Sequence, residues 1–380
     1  MVEIQQLNQP DAPVIFELAK CHNGMNIGIA TLNAPKALNA LNLDMIRLLT
    51  PQLEAWAQDE QVVMVLLKGA GEKAFCAGGD VVSLYREMAT EQDNTLVETF
   101  FSEEYRLDYQ IHNYEKPILL WGSGIIMGGG LGLTAGASHK VVTETSRIAM
   151  PEITIGLYPD VGGSYFLNKM PPGVGLFLGL TAANINATDA KLVGLGDHFM
   201  DAEKLEVLVQ NLVEVNWEQT NVLNHEKLTL LLDSLEDASH EVMPDSQIEP
   251  LLDTFKTLDD ISELEKQVAF ILDLDSSDNK WLSKAQAALK HGSPMSAAIV
   301  KAQLTRSKGK SLKACFMQEL GMSVRAGEFG EFQEGVRALL IDKDGQPNWQ
   351  FKSVSEVSEE ALESFFAPRW SDDNHPLADL

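Results

Sequence analysis

Apolar runs alternate with glycine-containing turns over the first 200 residues, and their order predicts strands followed by helices. The run "VVMVLLKGAG" at residues 62–71 predicts a buried strand, "EKAFCAGGD" predicts a glycine turn, and "VVSLYREM" predicts a helix with Asp80 as its N-cap. The order recurs with a buried strand over "ILLWGSGIIM", a turn at Gly128, Gly129 and Gly130, and a small-residue helix over "GLGLTAGAS". A strand, a glycine turn and a helix are therefore predicted twice.

Two further patterns complete this half of the chain. Leu49, Leu53 and Trp56 recur at helical spacing, although Pro51 is expected to kink or restart that helix. Further along, "HKVVTETSRIAM" predicts a pair of strands. Because strands and helices alternate, we predict an α/β core that carries the active site over residues 1–200.

After residue 200 the pattern becomes helical, with many acidic positions. The segments "AEKLEVLVQNLVEV", "HEKLTLLLDSL" and "ISELEKQVAFILDL" show helical periodicity, and no run predicts a convincing strand. Loops are predicted at "DLDSSDN" and "KHGSP", and the acidic "SVSEVSEEALESFF" predicts a solvated amphipathic helix. We therefore predict a helical C-terminal region over residues 201–380, with a soft sub-boundary near residue 290.

Composition narrows the classes of partner and compartment. The chain has 380 residues, 45% of them hydrophobic, which is enough for about two domains with a sizeable core. With 29 basic and 55 acidic residues the net charge is −26, so nucleic acid and anionic membranes are not expected partners. Three distant cysteines indicate no disulfide framework, and no leader pattern is visible at the start, so we expect a cytoplasmic protein.

An uncharged segment at residues 117–138 could be mistaken for a membrane span. It contains seven glycines, three of them consecutive, which a lipid-facing helix of that length would hardly tolerate. We therefore interpret it as the buried strand, turn and helix described above.

The two glycine turns are candidates for binding an anion. A turn between a strand and a helix exposes backbone amides at the positive end of the helix dipole. If the fold brings the turns together, two amides would point at one oxygen and form an oxyanion hole, in which each donor is worth about 3 kcal/mol in the transition state. The alternative is that these glycines only permit tight turns and close packing.

The stretch "MPEITIGLYPDVGG" places two carboxylates, Glu152 and Asp160, among apolar residues. Such groups can act as nucleophile, general base or general acid, although Glu152 could also enrich a first helical turn and Asp160 could be an N-cap. Other chemistry has less support. The histidines form no zinc-binding motif, and Cys76 with His139 as a thiol nucleophile pair is a weaker hypothesis than a small buried cysteine.

Four motifs, "PKALNAL", "KAFCAGGDV", "GIIMGGGLGL" and "MPEITIGLYPDVGGSYFL", occur in the order and spacing of the crotonase, or enoyl-CoA hydratase/isomerase, superfamily. The chain resembles the 3-hydroxyisobutyryl-CoA hydrolase branch of that superfamily over nearly its whole length, because "GSPMSAA" and "EFQEGVRALLIDKDGQPNW" also look like that branch. The resemblance implies a crotonase-like spiral of strand, turn and helix units, followed by a helical C-terminal half.

The resemblance also implies roles for individual residues. By position, Gly79 and Gly129 would supply the oxyanion amides, and Glu104 in "FFSEEYRLDY" matches a substrate-contacting glutamate of the branch. The residues implied to border coenzyme A are Lys36, Ala37, Leu38 and Asp80. For Lys36, a phosphate contact and an ordinary solvated lysine remain equally open. For Glu104, a Glu-Glu pair on a solvated helix face is the alternative.

One departure from the wider family separates two reactions. Hydratases use two glutamates, and at the first of those positions this chain has Gly132, which can neither hold nor deliver a proton. As in the hydrolase branch, Glu152 would act as nucleophile or general base, and Asp160 would hold the substrate or water or protonate the departing thiolate.

We therefore predict hydrolysis of an acyl-CoA thioester, 3-hydroxyisobutyryl-CoA, a step in valine breakdown. Coenzyme A would be part of the substrate, and no prosthetic group or metal is expected. The alternatives are an enoyl-CoA hydratase or isomerase on the same fold, and a non-catalytic acyl-CoA-binding scaffold. The resemblance also allows a homo-oligomer, although the helical half could cover a trimer-forming surface and leave a monomer or dimer.

Overall fold

The computed structural model describes residues 2–90, 95–236 and 242–380. The strands in these ranges are β1 (Ile4–Gln6), β2 (Val14–Lys20), β3 (Asn26–Leu32), β4 (Val62–Gly69), β5 (Ala74–Cys76), β6 (Ile118–Gly122), β7 (Ile125–Met127), β8 (His139–Val142), β9 (Arg147–Ala149) and β10 (His198–Phe199). The helices are α1 (Leu43–Gln58), α2 (Val81–Thr90), α3 (Thr95–His112), α4 (Gly129–Gly136), α5 (Gly163–Phe166), α6 (Val174–Thr181), α7 (Ala187–Val193), α8 (Leu205–Glu214), α9 (Asn221–Glu236), α10 (Leu252–Asp260), α11 (Leu264–Leu272), α12 (Lys280–His291), α13 (Pro294–Ser307), α14 (Leu312–Phe329), α15 (Glu331–Val336) and α16 (Glu359–Phe366).

The first compact unit comprises Met1–Gly79, Leu107–Ile148 and Ile185–Ser246. Its seven-stranded sheet has the order β1-β2-β3-β4-β6-β8-β10, antiparallel from β1 to β3 and parallel from there on. The central strand β4 is the predicted "VVMVLLKG" run, and its first six residues are buried. This unbroken apolar pattern is typical of a parallel strand covered on both faces.

A second sheet in this part of the chain has the order β5-β7-β9. The single strand predicted over "ILLWGSGIIM" is wrong, because the run forms β6 in the large sheet and β7 in the small one. The chain turns between them at Gly124, whose φ is +74° and where a Cβ atom would lie 2.4 Å from the carbonyl oxygen of Lys73. Only glycine fits that close approach in a left-handed conformation.

Helices α8 and α9 belong to the first unit because their apolar faces pack on the large sheet. One core cluster contains Leu208 and Leu212 of α8, Leu228 of α9, and Met64 and Leu119 of the sheet. The division predicted at residue 200 therefore differs from the compact units that the structure forms.

The second compact unit comprises Asp80–Arg106, Ala149–Asn184 and Gln247–Leu380. At its centre lies α6, in which all eight residues are buried, with contacts to α10, α12 and α13. Residues 149–184 thus bury their apolar side chains against C-terminal helices that lie far ahead in the sequence, the first of them beginning at Leu252, which local periodicity cannot reveal.

Two predictions on local structure have different outcomes. Helix α1 runs over sixteen residues with Pro51 inside it, so this proline does not end the helix. Asp80 does cap α2, since its Oδ1 accepts a hydrogen bond from the Ser83 amide at 3.2 Å. Among the described residues, no helix has the length and apolarity that crossing a bilayer requires.

Candidate active site

The two predicted glycine turns meet in the first unit. Strands β5 and β7 that precede them are parallel and pair Cys76 with Ile126, so both turns leave the same edge of the small sheet. A Cβ atom at Gly130 would lie 2.4 Å from the carbonyl oxygen of Cys76, and one at Gly78 would lie 3.9 Å from the Cα of Gly128. The close approach therefore requires glycine at position 130, and the φ of +110° favours glycine at position 78.

The amides of Gly79 and Gly129 lie in these turns. Gly129 is the first residue of α4, so its amide has no acceptor within the helix. Gly79 and Leu41 form a β-bridge, in which the amide of Leu41 donates to the Gly78 carbonyl at 2.8 Å. The amide of Gly79 takes no part in this hydrogen bond. Both amides are therefore suited to bind an oxyanion, and the paired strands β5 and β7 fix the turns that carry them.

The segment "PKALNAL" folds against the first turn. The buried side chain of Asn39 donates to the carbonyls of Ala70 and Ala74, at 3.0 and 2.9 Å, and this contact was not predicted from the sequence. Lys36 and Ala37 are exposed and Leu38 is half-buried. The ammonium group of Lys36 is therefore solvated and accessible to a ligand in solution.

Three carboxylates are buried in the second unit. Glu152 begins a 3-10 turn, Glu152–Ile155, Asp160 follows the loop after it, and Glu104 lies on α3. Their exposed fractions are 4%, 4% and 1%. One carboxylate oxygen of Glu152 and one of Glu104 have no hydrogen-bond partner among the described residues. Buried polar atoms are normally satisfied, so these oxygens are available to a substrate or water.

The turn that carries Glu152 is held by close backbone packing. Gly156 ends it with a φ of +69°, and a Cβ atom there would lie 2.3 Å from the carbonyl oxygen of Glu331. A Cβ atom at Gly335 would lie 2.5 Å from the Cα of Ile155. The turn thus rests directly on α15, which fixes the position of Glu152.

Burial raises the pKa of all three carboxyl groups. The pKa of Glu152 and that of Glu104 lie well above their usual value, first because of desolvation and then because of the neighbouring charge of Asp160. Desolvation raises the pKa of Asp160 to about 6, although the hydrogen bond from Tyr105 opposes this rise. Three neighbouring carboxyl groups cannot all ionise readily, so burial and mutual repulsion favour the protonated form of at least one of them.

A chain of hydroxyl groups contacts Asp160. The Tyr105 hydroxyl donates to Asp160 Oδ2 at 2.7 Å and lies 2.7 Å from Ser323 Oγ. Ser323 Oγ is in turn 2.7 Å from the Tyr158 hydroxyl, which donates to the Glu319 carbonyl at 2.6 Å. None of these four residues was given a role from the sequence, although Tyr158 and Tyr105 lie in the stretches that carry the predicted carboxylates.

Glu319 of α14 is a fourth buried carboxylate. Its two oxygens accept hydrogen bonds from the amides of Gly162 and Ser164, at 2.8 and 3.0 Å, and the Ser164 hydroxyl also contacts it. Desolvation raises the pKa of Glu319 to about 8 despite these donors. This side chain holds the turn after Asp160, where Val161 has a φ of +49°.

The Cys76 and His139 pair has no support in the geometry. The Cys76 thiol contacts the Gly78 carbonyl at 3.5 Å. The two ring nitrogens of His139 lie 3.0 Å from the hydroxyls of Ser138 and Thr229, and no contact with Cys76 is found. The cysteine is buried behind a turn, as the alternative interpretation predicted.

One group of potential metal ligands occurs within the described ranges. Ligand atoms of His198 on β10 and of Asp233 and Glu236 on α9 lie within 4.8 Å of one another. The Lys191 ammonium pairs with Glu236, however, and supplies the positive charge that a metal would otherwise bring. We therefore assign this group to an ion-pair cluster of the first unit.

Comparison with known proteins identifies relatives along most of the chain. The family model described as enoyl-CoA hydratase/isomerase matches residues 27–366. Proteins named mitochondrial 3-hydroxyisobutyryl-CoA hydrolase are similar, with 38% identity for that of Danio rerio and 35% for that of Homo sapiens. These alignments cover 90% and 91% of this chain and 87% of each relative.

Solved structures confirm the predicted crotonase-like α/β fold. An enoyl-CoA hydratase from Rhodobacter sphaeroides superposes with a TM-score of 0.80 at 30% identity, covering 94% of this chain and 98% of that one. A carnitinyl-CoA dehydratase from Mycobacterium thermoresistibile gives 0.78 at 29% identity, covering 95% and 97%.

The expected cytoplasmic location is contradicted by the comparisons. The relatives from fish and human are named as mitochondrial proteins. The prediction rested on the lack of a visible leader pattern, and such patterns are too variable for their absence to decide a compartment.

Proposed function

Because the chain belongs to the enoyl-CoA hydratase/isomerase family and aligns with 3-hydroxyisobutyryl-CoA hydrolases over about nine-tenths of its length, we propose that it hydrolyses 3-hydroxyisobutyryl-CoA. It is an acyl-CoA thioester hydrolase, and its products are 3-hydroxyisobutyrate and free coenzyme A. The reaction is a step in valine breakdown.

The observation that carries the proposed mechanism is the buried Glu152 carboxylate with an oxygen that no described residue engages. When Glu152 is ionised, this oxygen can attack the thioester carbonyl to form a mixed anhydride, or it can take a proton from the attacking water. The amides of Gly79 and Gly129 would stabilise the oxyanion that develops in either route. This mechanism requires both groups to act on the same thioester.

Asp160 and Glu104 have separate proposed roles. Asp160, with its pKa raised to about 6, can hold a proton for the departing thiolate and release it near neutral pH. The unpartnered oxygen of Glu104 is suited to accept a hydrogen bond from the substrate hydroxyl. Gly132, buried within α4, leaves the first of the two glutamate positions of a hydratase without an acid or base.

Coenzyme A enters as part of the substrate, and the proposed steps need no prosthetic group. The exposed ammonium of Lys36 is suited to a phosphate of the coenzyme. Ala37, Leu38 and Asp80 are proposed, by their positions in the family motifs, as further residues that border coenzyme A. The oligomeric state stays a prediction.

The test is the release of free thiol from 3-hydroxyisobutyryl-CoA, followed with a thiol reagent across a panel of short 3-hydroxyacyl-CoAs. We expect thiol to appear and the Glu152→Gln variant to be inactive. Hydration of an enoyl-CoA without thiol release would instead indicate a hydratase, and acyl-CoA binding without turnover would indicate a scaffold.

A further inference from the structure

The hydroxyl chain behind Asp160 joins elements that are far apart in sequence. It runs from Asp160 Oδ2 through Tyr105, Ser323 and Tyr158 to the carbonyl oxygen of Glu319, with four oxygen-oxygen contacts of 2.6 to 2.7 Å. Every side chain in it is at most 4% exposed. A contact this short between buried oxygens is favourable when a proton lies between them and unfavourable when none does.

Counting the protons shows that the chain depends on the charge of Asp160. The three hydroxyls supply three protons for four contacts when Asp160 is ionised, so one contact is left without a proton. When Asp160 is protonated, four protons fill four contacts, and every group donates toward the Glu319 carbonyl. Ionisation therefore reverses the donor direction at Tyr105. Because Tyr158 donates to the Glu319 carbonyl, the unfilled contact is then one of the two that Ser323 makes.

We propose that Tyr105, Ser323 and Tyr158 are positioning residues that form a reversible hydroxyl relay, which stabilises Asp160 both as a proton donor and as a proton acceptor in successive steps of thioester hydrolysis. The proposal rests on the proposed function, since it assigns the two protonation states of Asp160 to the two halves of that reaction.

The two halves balance as follows in the route through an anhydride. First, a Glu152 oxygen bonds to the acyl carbon, the carbon-sulfur bond breaks, and the proton of Asp160 passes to the coenzyme A sulfur. Then the oxygen of a water bonds to the acyl carbon and the anhydride carbon-oxygen bond to Glu152 breaks. One proton of the water returns to Asp160, and the other leaves with the product acid.

The charged and titratable groups around Asp160 come from three other elements and its own loop. They are Glu104 and Tyr105 of α3, Glu152, Tyr158, and Glu319 of α14. The carboxylates among them oppose a further negative charge, whereas the Tyr105 hydroxyl favours the ionised form. Among these groups, the hydroxyl chain can stabilise both the ionised and the protonated form of Asp160, because its hydroxyl groups can rotate and so exchange donor and acceptor roles.

Two variants shift the Asp160 equilibrium in opposite directions if the relay operates. Tyr105→Phe removes the donor to the ionised carboxylate, so the pKa of Asp160 should rise by about one unit. Ser323→Ala removes the contact that lacks a proton when Asp160 is ionised. When Asp160 is protonated, the same change leaves the Tyr105 hydroxyl without an acceptor. The pKa of Asp160 should therefore fall by about one unit in that variant.

The experiment is a carbon-13 NMR titration of aspartate carboxyl groups in the free protein, with Asp160→Asn assigning the resonance. Tyr165→Phe, the same change outside the chain, and Ser323→Thr, which keeps the hydroxyl, should leave the pKa unshifted. Should Ser323→Ala fail to fold, the Tyr105→Phe titration still decides. Shifts of one sign in both variants, or no shift in Tyr105→Phe, would overturn the relay.

Kinetics separate this proposal from the proposed function. The limb of the kcat/KM profile for thiol release that reports Asp160 should move in each variant by the same amount and sign as the NMR pKa of the free protein. If the unaltered protein releases no thiol, the proposed function and the catalytic role of the relay both fall. If thiol is released and the limb stays in place, only the relay falls.

Discussion

The carboxylate of Glu319 accepts the amide hydrogen of Gly162 at 2.8 Å, and so anchors the backbone two residues after Asp160 from a helix 157 residues away in sequence. The other Glu319 oxygen accepts the amide of Ser164 at 3.0 Å. Because both oxygens face backbone donors, a carboxylate fits this site and an amide does not.

Replacing Glu319 by glutamine should therefore weaken both the fold and the site. One of the two backbone amides would then face the NH2 group of the glutamine, so that two buried hydrogen-bond donors would point at each other. We expect this to lower the free energy of unfolding by about 2 kcal/mol. The turn after Asp160 would shift, and we expect kcat/KM for thiol release to fall at least about tenfold. Urea unfolding and the thiol assay, both above a pH of about 8 where Glu319 is ionised, measure the two effects. Glu265→Gln, an exposed change, is the matched control. Unchanged unfolding in Glu319→Gln would refute this anchoring.

Glu152→Gln removes the proposed nucleophile or base while conserving the shape of the side chain. We expect turnover to fall at least about a hundredfold, since glutamine can neither form the anhydride nor take a proton from water. Substrate binding should change much less, because the amide still fills the pocket. Thiol release and direct binding measurements separate the two, and a fully active variant would exclude both proposed roles of Glu152.

Asp160→Asn should lower activity and raise stability at the same time. Burial raises the pKa of Asp160 from 3.8 to about 6, so the folded state binds the proton more tightly than the unfolded chain. The stability of the unaltered protein therefore falls as pH rises from about 4 through 6, and the full loss persists above that range. The variant should be more stable by about 2 to 3 kcal/mol at pH 8 and little different at pH 3. Urea unfolding at both pH values checks this, and equal stabilities at pH 8 would contradict the raised pKa.

Gly130→Ala should force the two glycine turns apart. Its Cβ would lie 2.4 Å from the Cys76 carbonyl oxygen, and we expect a loss of about 2 to 4 kcal/mol in unfolding free energy, together with most activity. Gly321 in α14 has open space around it, so Gly321→Ala should be neutral or stabilising by up to about 1 kcal/mol. Thermal unfolding of both variants tests the contrast. A Gly130→Ala protein as stable as Gly321→Ala would show that the turns tolerate separation.

Much of the fold could be predicted because its elements carry local signals. The apolar run of β4, the glycines before α4 and the Asp80 cap each report on neighbouring residues only. The split between β6 and β7 could not be predicted, since an apolar run does not reveal that the chain changes sheets at Gly124. The membership of α8 and α9 in the first unit likewise depends on which surface their apolar faces cover.

The candidate site shows the same limit more sharply. Glu152, Asp160 and Glu104 were predicted because motifs mark them, and all three are buried in the second unit. Tyr105 and Ser323 were missed because their contact joins positions 218 residues apart, and neither side chain is unusual for its helix. Hydrogen bonds of that kind become visible only when the tertiary structure is known.

The interleaving of the two units has a consequence for the order in which the protein matures on the ribosome. Residue 246 completes the first unit, whereas Tyr105 and Asp160, made earlier, have to wait for Glu319 and Ser323 near the end of the chain. A nascent or truncated chain that stops before α14 would hold Asp160 and Tyr105 without the Glu319 anchor and without Ser323. The surroundings of the proposed active-site carboxylate are therefore completed late in synthesis, after the first unit has been made.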